Sequence, residues 1–365
     1  MMKNKYYRSV LAAAILAGLV CMGGLGSGSQ AKEQVILDSD MVETLDDGTA
    51  MLMLAKSPDV ELRGVTLVTG NSWEKDGAAY GLRQLEAIHM ADTVPIILGE
   101  NQPTRPHRVA GLAAERKKYG SGKDNWIGAV AFKEPASWQQ AYERQYGLAP
   151  THAPKAGNAV DFLIDEVRAH PGEITIVAIG PCTNVAKAIK KDPQFAPSVK
   201  RIIYMGGSFF QGGNVTPAAE FNFWFDPEAA KTALRAPFKE QIIVPLDVCE
   251  KFDFNAKTYK AMLAATQNPI LHDMLYKKYD ATFKANPAYS SYIWDALTAA
   301  ILLDPSLITK EVTLPVDVND QFGLSYGQSL AFYGTQPEGT QKARIILDLN
   351  EDAVWQKIYD LSKTW

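Results

Sequence analysis

From Glu33 onward the chain alternates two patterns. Short runs dense in β-branched and aliphatic residues are EQVILDSD, VELRGVTLVTG, VPIILGE, ITIVAIG, KRIIYMGG and QIIVPLDV. Between them lie DDGTAMLMLAKS, AAYGLRQLEAIHMA, AVDFLIDEVRAH, NVAKAIKKD and PEAAKTALRA, whose apolar residues recur at helical spacing. Near-continuous apolar strands are what a sheet covered on both faces requires, and the amphipathic segments supply the covers. The alternation predicts an α/β, Rossmann-like fold: a mostly parallel central sheet covered by helices. VTLPVDVN and KARIILDLN add C-terminal strands, and EDAVWQKIYDLSK closes the chain as a helix.

The first residues break this rhythm. Lys3, Lys5 and Arg8 precede the apolar VLAAAILAGLVCMGGLG, and the small-residue stretch SGSQA follows. A positive start, an apolar middle and a small-residue end describe a secretory signal peptide, with cleavage expected after Ala31. Export to the periplasm or the medium follows from that reading. A membrane anchor is disfavoured because the apolar run is short and Gly-rich, below the ~18 unbroken apolar residues a spanning helix needs. Lipidation at Cys21 is disfavoured by the bulky Val20 before it. Residues 32–365 then form one catalytic-size domain, with no Pro/Gly/Ser linker, charge block or internal repeat to divide it.

The leader holds three of the 37 basic residues and none of the 41 acidic ones, so the mature chain is acidic. An acidic chain without a basic run is a poor partner for nucleic acid or anionic membranes. Only Cys182 and Cys249 lie beyond the leader, too few for a disulfide framework.

In open α/β sheets ligands bind at the carboxyl ends of the strands. That rim would carry the aspartates after VIL, Gly70 and Asn71 after VTLVT, Gly180 after IVAI, the MGG turn, and Asp247 after IIVPL. Asp38, Asp40, Asp46 and Asp47 crowd the first of these ends. Carboxylates brought together repel unless a cation neutralises them, and oxygen donors without Cys or His favour Ca²⁺ or Mg²⁺ over zinc. The plainer reading is that Asp46 and Asp47 cap the following helix while Asp38 holds a neighbouring loop. A second cluster, GGNVTPAAEFNFWFDPEAA, places Asn214, Glu220 and Asn222 in a loop before a helix capped by Asp226, with Pro227 at its first position. Two amides and a carboxylate suit a polyhydroxylated ligand, although Asn and Gly are also routine turn residues. In the third, YSSYIWDALTAAILLD, Asp295 opens an apolar helix as a cap or a ligand. Trp294 beside it is either core or a stacking plate.

Taken together, VILDSD…LDD, VTGN, AIGPCTNVA, YMGG, GGNVTPAAEFNFWFDPEAA and WDALTAAILLD occur in the order found in the nucleoside hydrolases of the inosine/uridine-preferring superfamily, which the chain resembles over nearly its whole mature length. The resemblance implies a Ca²⁺ ion at the floor of a ribose pocket, held by Asp40, Asp47, Asp295 and the backbone carbonyl of Ile179. It implies Asp40 as general base, Asp46 on ribose hydroxyls, and Asn71, Asn214, Glu220 and Asn222 as sugar-binding side chains. Many members carry His before the late aspartate. Trp294 stands there in this chain, which looks like the purine-preferring branch, where aromatic rings hold the base. Trp126, Tyr119 and Trp73 are the candidates for a second ring. The expected activity is hydrolysis of purine ribonucleosides for salvage, by a homodimer or homotetramer. Another ribosyl or glycosyl substrate, or a non-enzymatic nucleoside-binding protein, are the alternatives. DMVETLDD also inserts two residues between Asp40 and the Asp pair relative to the family pattern, adding Glu43.

Overall fold

The computed structural model describes residues 31–43 and 46–365. The predicted leader, Cys21 included, and Thr44 and Leu45 of the inserted loop lie outside the described residues. Eleven strands occur among them: β1 (Glu33–Ser39), β2 (Val60–Leu67), β3 (Ile96–Ile97), β4 (Ile174–Ala178), β5 (Arg201–Met205), β6 (Gln241–Val244), β7 (Asp253–Asn255), β8 (Ser290–Tyr292), β9 (Ile308–Val318), β10 (Ser329–Ala331) and β11 (Gln341–Leu349). Nine form one sheet in the order β10-β9-β11-β6-β5-β4-β1-β2-β3, and β7 pairs with β8 separately. Strands β1 to β6 run parallel, β11 joins β6 in parallel, and β9 and β10 extend that edge antiparallel. The predicted α/β architecture and its extra C-terminal strands are both present.

The helices that build the site are α1 (Asp47–Lys56), α2 (Glu74–Ala87), α3 (Arg108–Tyr119), α4 (Trp138–Tyr146), α5 (Ala159–Ala169), α6 (Thr183–Lys191), α7 (Phe221–Phe225), α8 (Pro227–Arg235), α9 (Leu246–Cys249), α10 (Pro269–Ala285) and α11 (Asp295–Leu303). Alternation along β1 divides the core. Val35 and Leu37 pack with α1, α2 and α11 on one face, and Ile36 packs with α5, α6 and α8 on the other. The sheet is therefore buried on both sides, which is why its strands read as unbroken apolar runs.

Two local readings are corrected. QIIVPLDV is not one strand. β6 stops at Val244, and Pro245, which has no N–H for a ladder, hands over to the short α9. Asp247 on α9 accepts from the Phe209 and Phe210 amides at 2.9 and 2.7 Å, bracing the turn after β5 rather than facing a ligand. Glu220 and Asn222 are not in an open loop either: Glu220 caps α7 and Asn222 lies in its first turn.

The segment between β3 and α5, polar and patternless in sequence, carries α3 and α4. Its Leu112 packs into a satellite core with Val215, Ala219, Phe221, Trp224 and Phe225 from the stretch after β5. Buried Arg108 donates to the Trp224 and Phe225 carbonyls at 2.6 and 3.3 Å and pairs with Glu115, which also accepts from Trp224 Nε1 at 2.8 Å. Desolvation of its guanidinium lowers the Arg108 pKa to about 10. Among the described residues no helix is long and apolar enough to cross a membrane.

Candidate active site

Register sets Asp38 beside Thr66 and Ala178, and Ala178 beside Tyr204, so β1, β2, β4 and β5 end level and their following loops share one rim. Asp38 accepts from Thr66 Oγ1 at 2.6 Å and Asn184 Nδ2 at 2.8 Å, tying β1 to β2 and α6. Burial pushes its pKa up to about 6 against those two hydrogen bonds.

The aspartates beyond it are arranged differently. Asp40 Oδ2 accepts from the Asn71 amide at 2.6 Å, while its Oδ1 is buried without a partner. Asp47 Oδ1 accepts from Ser39 Oγ at 2.6 Å, and its Oδ2 is likewise buried and unpartnered. Asp46, half-buried, makes no capping bond to α1. It reaches across to accept from the Asp295 amide at 3.0 Å. Nor does Asp295 cap: Trp294 holds the cap position and Asp295 is the first helical residue. Asp46, Asp47 and Asp295 each bring one carboxylate oxygen within 4.8 Å of the other two. The capping alternative for the first cluster is not what the chain adopts. Of the expected Asp40, Asp47 and Asp295, only the last two converge, with Asp46 as the third member; Asp40 is not in that group and is linked to it through Asp47.

Burial, followed by their mutual repulsion, holds the Asp40 and Asp295 carboxyls well above the ordinary carboxylate range. The same causes bring Asp47 to about 7, and burial raises Asp46. Orphaned buried oxygens on a converging all-oxygen donor set fit a hard divalent cation and disfavour zinc. The Ile179 carbonyl, at the end of β4, accepts from Asn222 Nδ2 at 3.0 Å and keeps a second lone pair. Asn222 Nδ2 also donates to the Met205 carbonyl at 3.1 Å, leaving its buried Oδ1 unpartnered. Glu220 accepts from the amides of Gly207, Asn222 and Phe223 at 2.8, 2.7 and 3.1 Å. Burial outweighs them and pushes its pKa up to about 7.

Asp46, Glu220, Asn222 and Asp295 open into a cavity of about 390 Å³, while Asp40, Asp47 and Ile179 are not among its lining residues. Asp46, Asn71, Asn214, Glu220, Asn222 and Asp295 line its polar side, and Trp126, Phe221, Tyr279, Tyr289 and Trp294 its aromatic side. Of the three candidate second rings, Trp126 reaches the cavity, with its Nε1 donating to Asn71 Oδ1 at 2.6 Å. Trp73 is buried and donates to the Phe132 carbonyl, and Tyr119 packs edge-on against Phe322. Sequence reasoning missed Tyr279 and Tyr289. Their only signal was the aromatic density of YKKYDATFKANPAYS before the WD pair.

Glycine permits the close approach at Asp40. A methyl at Gly70 would overlap Asp40 Oδ2 and come to 2.8 Å from its Cβ and 2.7 Å from Pro181 Cδ. Gly70→Ala should displace the carboxylate and lower kcat at least about tenfold, with a measurable fall in melting temperature because the methyl also overpacks against the Pro181 ring. Steady-state kinetics beside a thermal melt checks this. Full activity would show that the Asp40 position is not needed.

Residues 35–356 match the family described as inosine-uridine preferring nucleoside hydrolase. The chain is 30% identical over 293 residues to uridine nucleosidase 1 of Arabidopsis thaliana, covering 79% of this chain and 80% of that protein. Among solved structures, a plant nucleoside hydrolase superposes with a TM-score of 0.73 at 24% identity, over 91% of this chain and 99% of the other. A purine-preferring ribonucleoside hydrolase from Gardnerella vaginalis superposes at 0.67 and 22% identity, over 90% and 99%.

Proposed function

Since the chain belongs to the inosine-uridine preferring nucleoside hydrolase family, whose members are N-ribohydrolases acting on N-glycosyl bonds, we propose that it hydrolyses purine ribonucleosides with a calcium ion at the floor of the cavity. The observation that carries the purine reading is the pairing of Trp294 and Trp126 on one cavity with no histidine among its described lining residues.

Asp40, Asp47, Asp295 and the Ile179 carbonyl would hold the ion, with Asp46 beside them. When bound, it would supply orientation and charge neutralisation to the attacking water and the ribose hydroxyls. Asp46, Asn71, Asn214, Glu220 and Asn222 hold the sugar. Asp40 takes a proton from the water as its oxygen bonds to the anomeric carbon and the bond to the base nitrogen breaks. The sugar passes through an oxocarbenium-like state, which the surrounding carboxylates favour. The departing purine nitrogen takes its proton from solvent, and stacking on Trp294 and Trp126 makes that nitrogen more basic.

A second reading, a pyrimidine preference, is favoured by the 30% identity to a uridine nucleosidase. A panel of inosine, adenosine, guanosine, uridine and cytidine assayed for free base separates the two. We expect purines to lead, and Trp294→Ala to cut purine kcat/KM roughly tenfold to a hundredfold, as loss of one stacking ring implies. A Trp294→Ala enzyme with full purine turnover, or a parent that prefers uridine, would reject the purine reading.

A further inference from the structure

The two-residue insert adds an acidic side chain, Glu43, beside the aspartates. It does not join them. Tyr146, at the end of α4, donates its hydroxyl to Glu43 Oε1 at 2.8 Å, and Gln145 Nε2 approaches the same oxygen at 3.5 Å. Glu43, Tyr146 and Lys278 line a second cavity, of about 650 Å³, behind the aspartate loop. Helix α10 borders both spaces: Tyr279 lines the active-site cavity, and Lys278, its neighbour in sequence, lines the second. Burial lowers the Lys278 pKa, while the carboxylates of Glu43, Asp46 and Asp47 pull on its ammonium in the opposite sense. A positive charge set against two of the three converging aspartates opposes a cation there. A carboxylate behind it, fixed by a tyrosine, draws part of that charge away.

Resting on the calcium reading of the site, we propose that Lys278 and Glu43, with Tyr146 as the anchor of Glu43, are positioning residues that set the cation affinity of the active site: Lys278 weakens it and Glu43 restores it. The insert thereby does a job at the ion without contributing a ligand.

Calorimetric titration of Ca²⁺ into the metal-stripped full chain tests this. Lys278→Gln is expected to tighten the dissociation constant roughly three- to tenfold, and Glu43→Gln to weaken it by a similar factor, as the loss of one nearby unit charge implies. The double variant should return close to the parent. A Lys278→Gln dissociation constant within twofold of the parent or weaker, or the two single variants moving in the same direction, would each overturn the proposal. If the parent takes up no Ca²⁺, the calcium reading itself fails and this inference with it. If the parent binds and the variants do not shift, only this inference fails.

Discussion

Replacing Asp40 by Asn should abolish release of free base while leaving the fold intact. The amide keeps the shape, but it cannot take a proton, and general-base assistance alone contributes about 10²–10⁴-fold. Loss of a ligand oxygen with full charge would add to that, so a fall in kcat of about 10³-fold or more is expected. Stability should not fall with it. Asp40 is buried, its Oδ1 has no partner, and Asp47 lies beside it, so the metal-free protein loses an unfavourable charge. A melt unchanged or raised, beside dead kinetics, is the expected signature. Appreciable turnover by Asp40→Asn would transfer the base role to another group.

On the calcium reading, stripping the ion should be as damaging, and its stability effect has a definite sign with pH. Asp38, Asp47 and Glu220 have folded pKa values of about 6, 7 and 7, above the ordinary carboxylate range. The folded state therefore binds more protons than the unfolded one between about pH 4 and pH 7. The stability this lends is complete below the unfolded pKa and is lost as pH rises through the folded values. The metal-free protein should melt progressively lower from pH 4 to pH 8. Calcium should reverse the trend, because it favours the ionised carboxylates. At a hundredfold excess over Kd it adds about 2.7 kcal/mol. Asp47→Asn should remove most of that rescue. Scanning calorimetry across pH, with chelator and with calcium, reads all three effects. A metal-free melting point that climbs toward pH 8 would contradict the burial of these charges.

Much of this could be read from residues alone, for reasons that differ along the chain. Strands buried on both faces leave a plain signal, and VILDSD and ITIVAIG gave their positions away. The spare carboxylates in LDSDMVETLDD pointed to a cation because such crowding is costly without one, and folding brings Asp46 and Asp47 together with Asp295. The aromatic wall was harder to see. Tyr279 sits on α10, whose sequence carries aromatic and basic residues on several faces, so no single stripe identifies the one turned to the ligand. FNFWF resisted reading because a run of aromatics has neither helical nor strand periodicity, and it was the satellite core of Leu112, Val215 and Trp224 that made it a helix. Asp46 was harder still. In sequence it reads as the cap of α1, and only folding brings the start of α11 close enough for the Asp295 amide to claim it.

The segment carrying Trp126 is fastened next to the chemistry. The Ala129 amide donates to the Gly70 carbonyl at 2.8 Å, and the Gly122 and Asp124 amides donate to the Val215 and Asn214 carbonyls at 3.0 and 2.9 Å. A side chain at Gly128 would collide with the Gly70 carbonyl and come to 2.7 Å from the Phe221 ring. Gly70 therefore touches Asp40 on one side and the segment carrying Trp126 on the other. Base preference cannot be re-engineered here as an interchangeable cassette. A graft of residues 120–131 from a relative would move Asp40 unless it brought a glycine to the same backbone contact, so selectivity and rate should shift together in chimaeras.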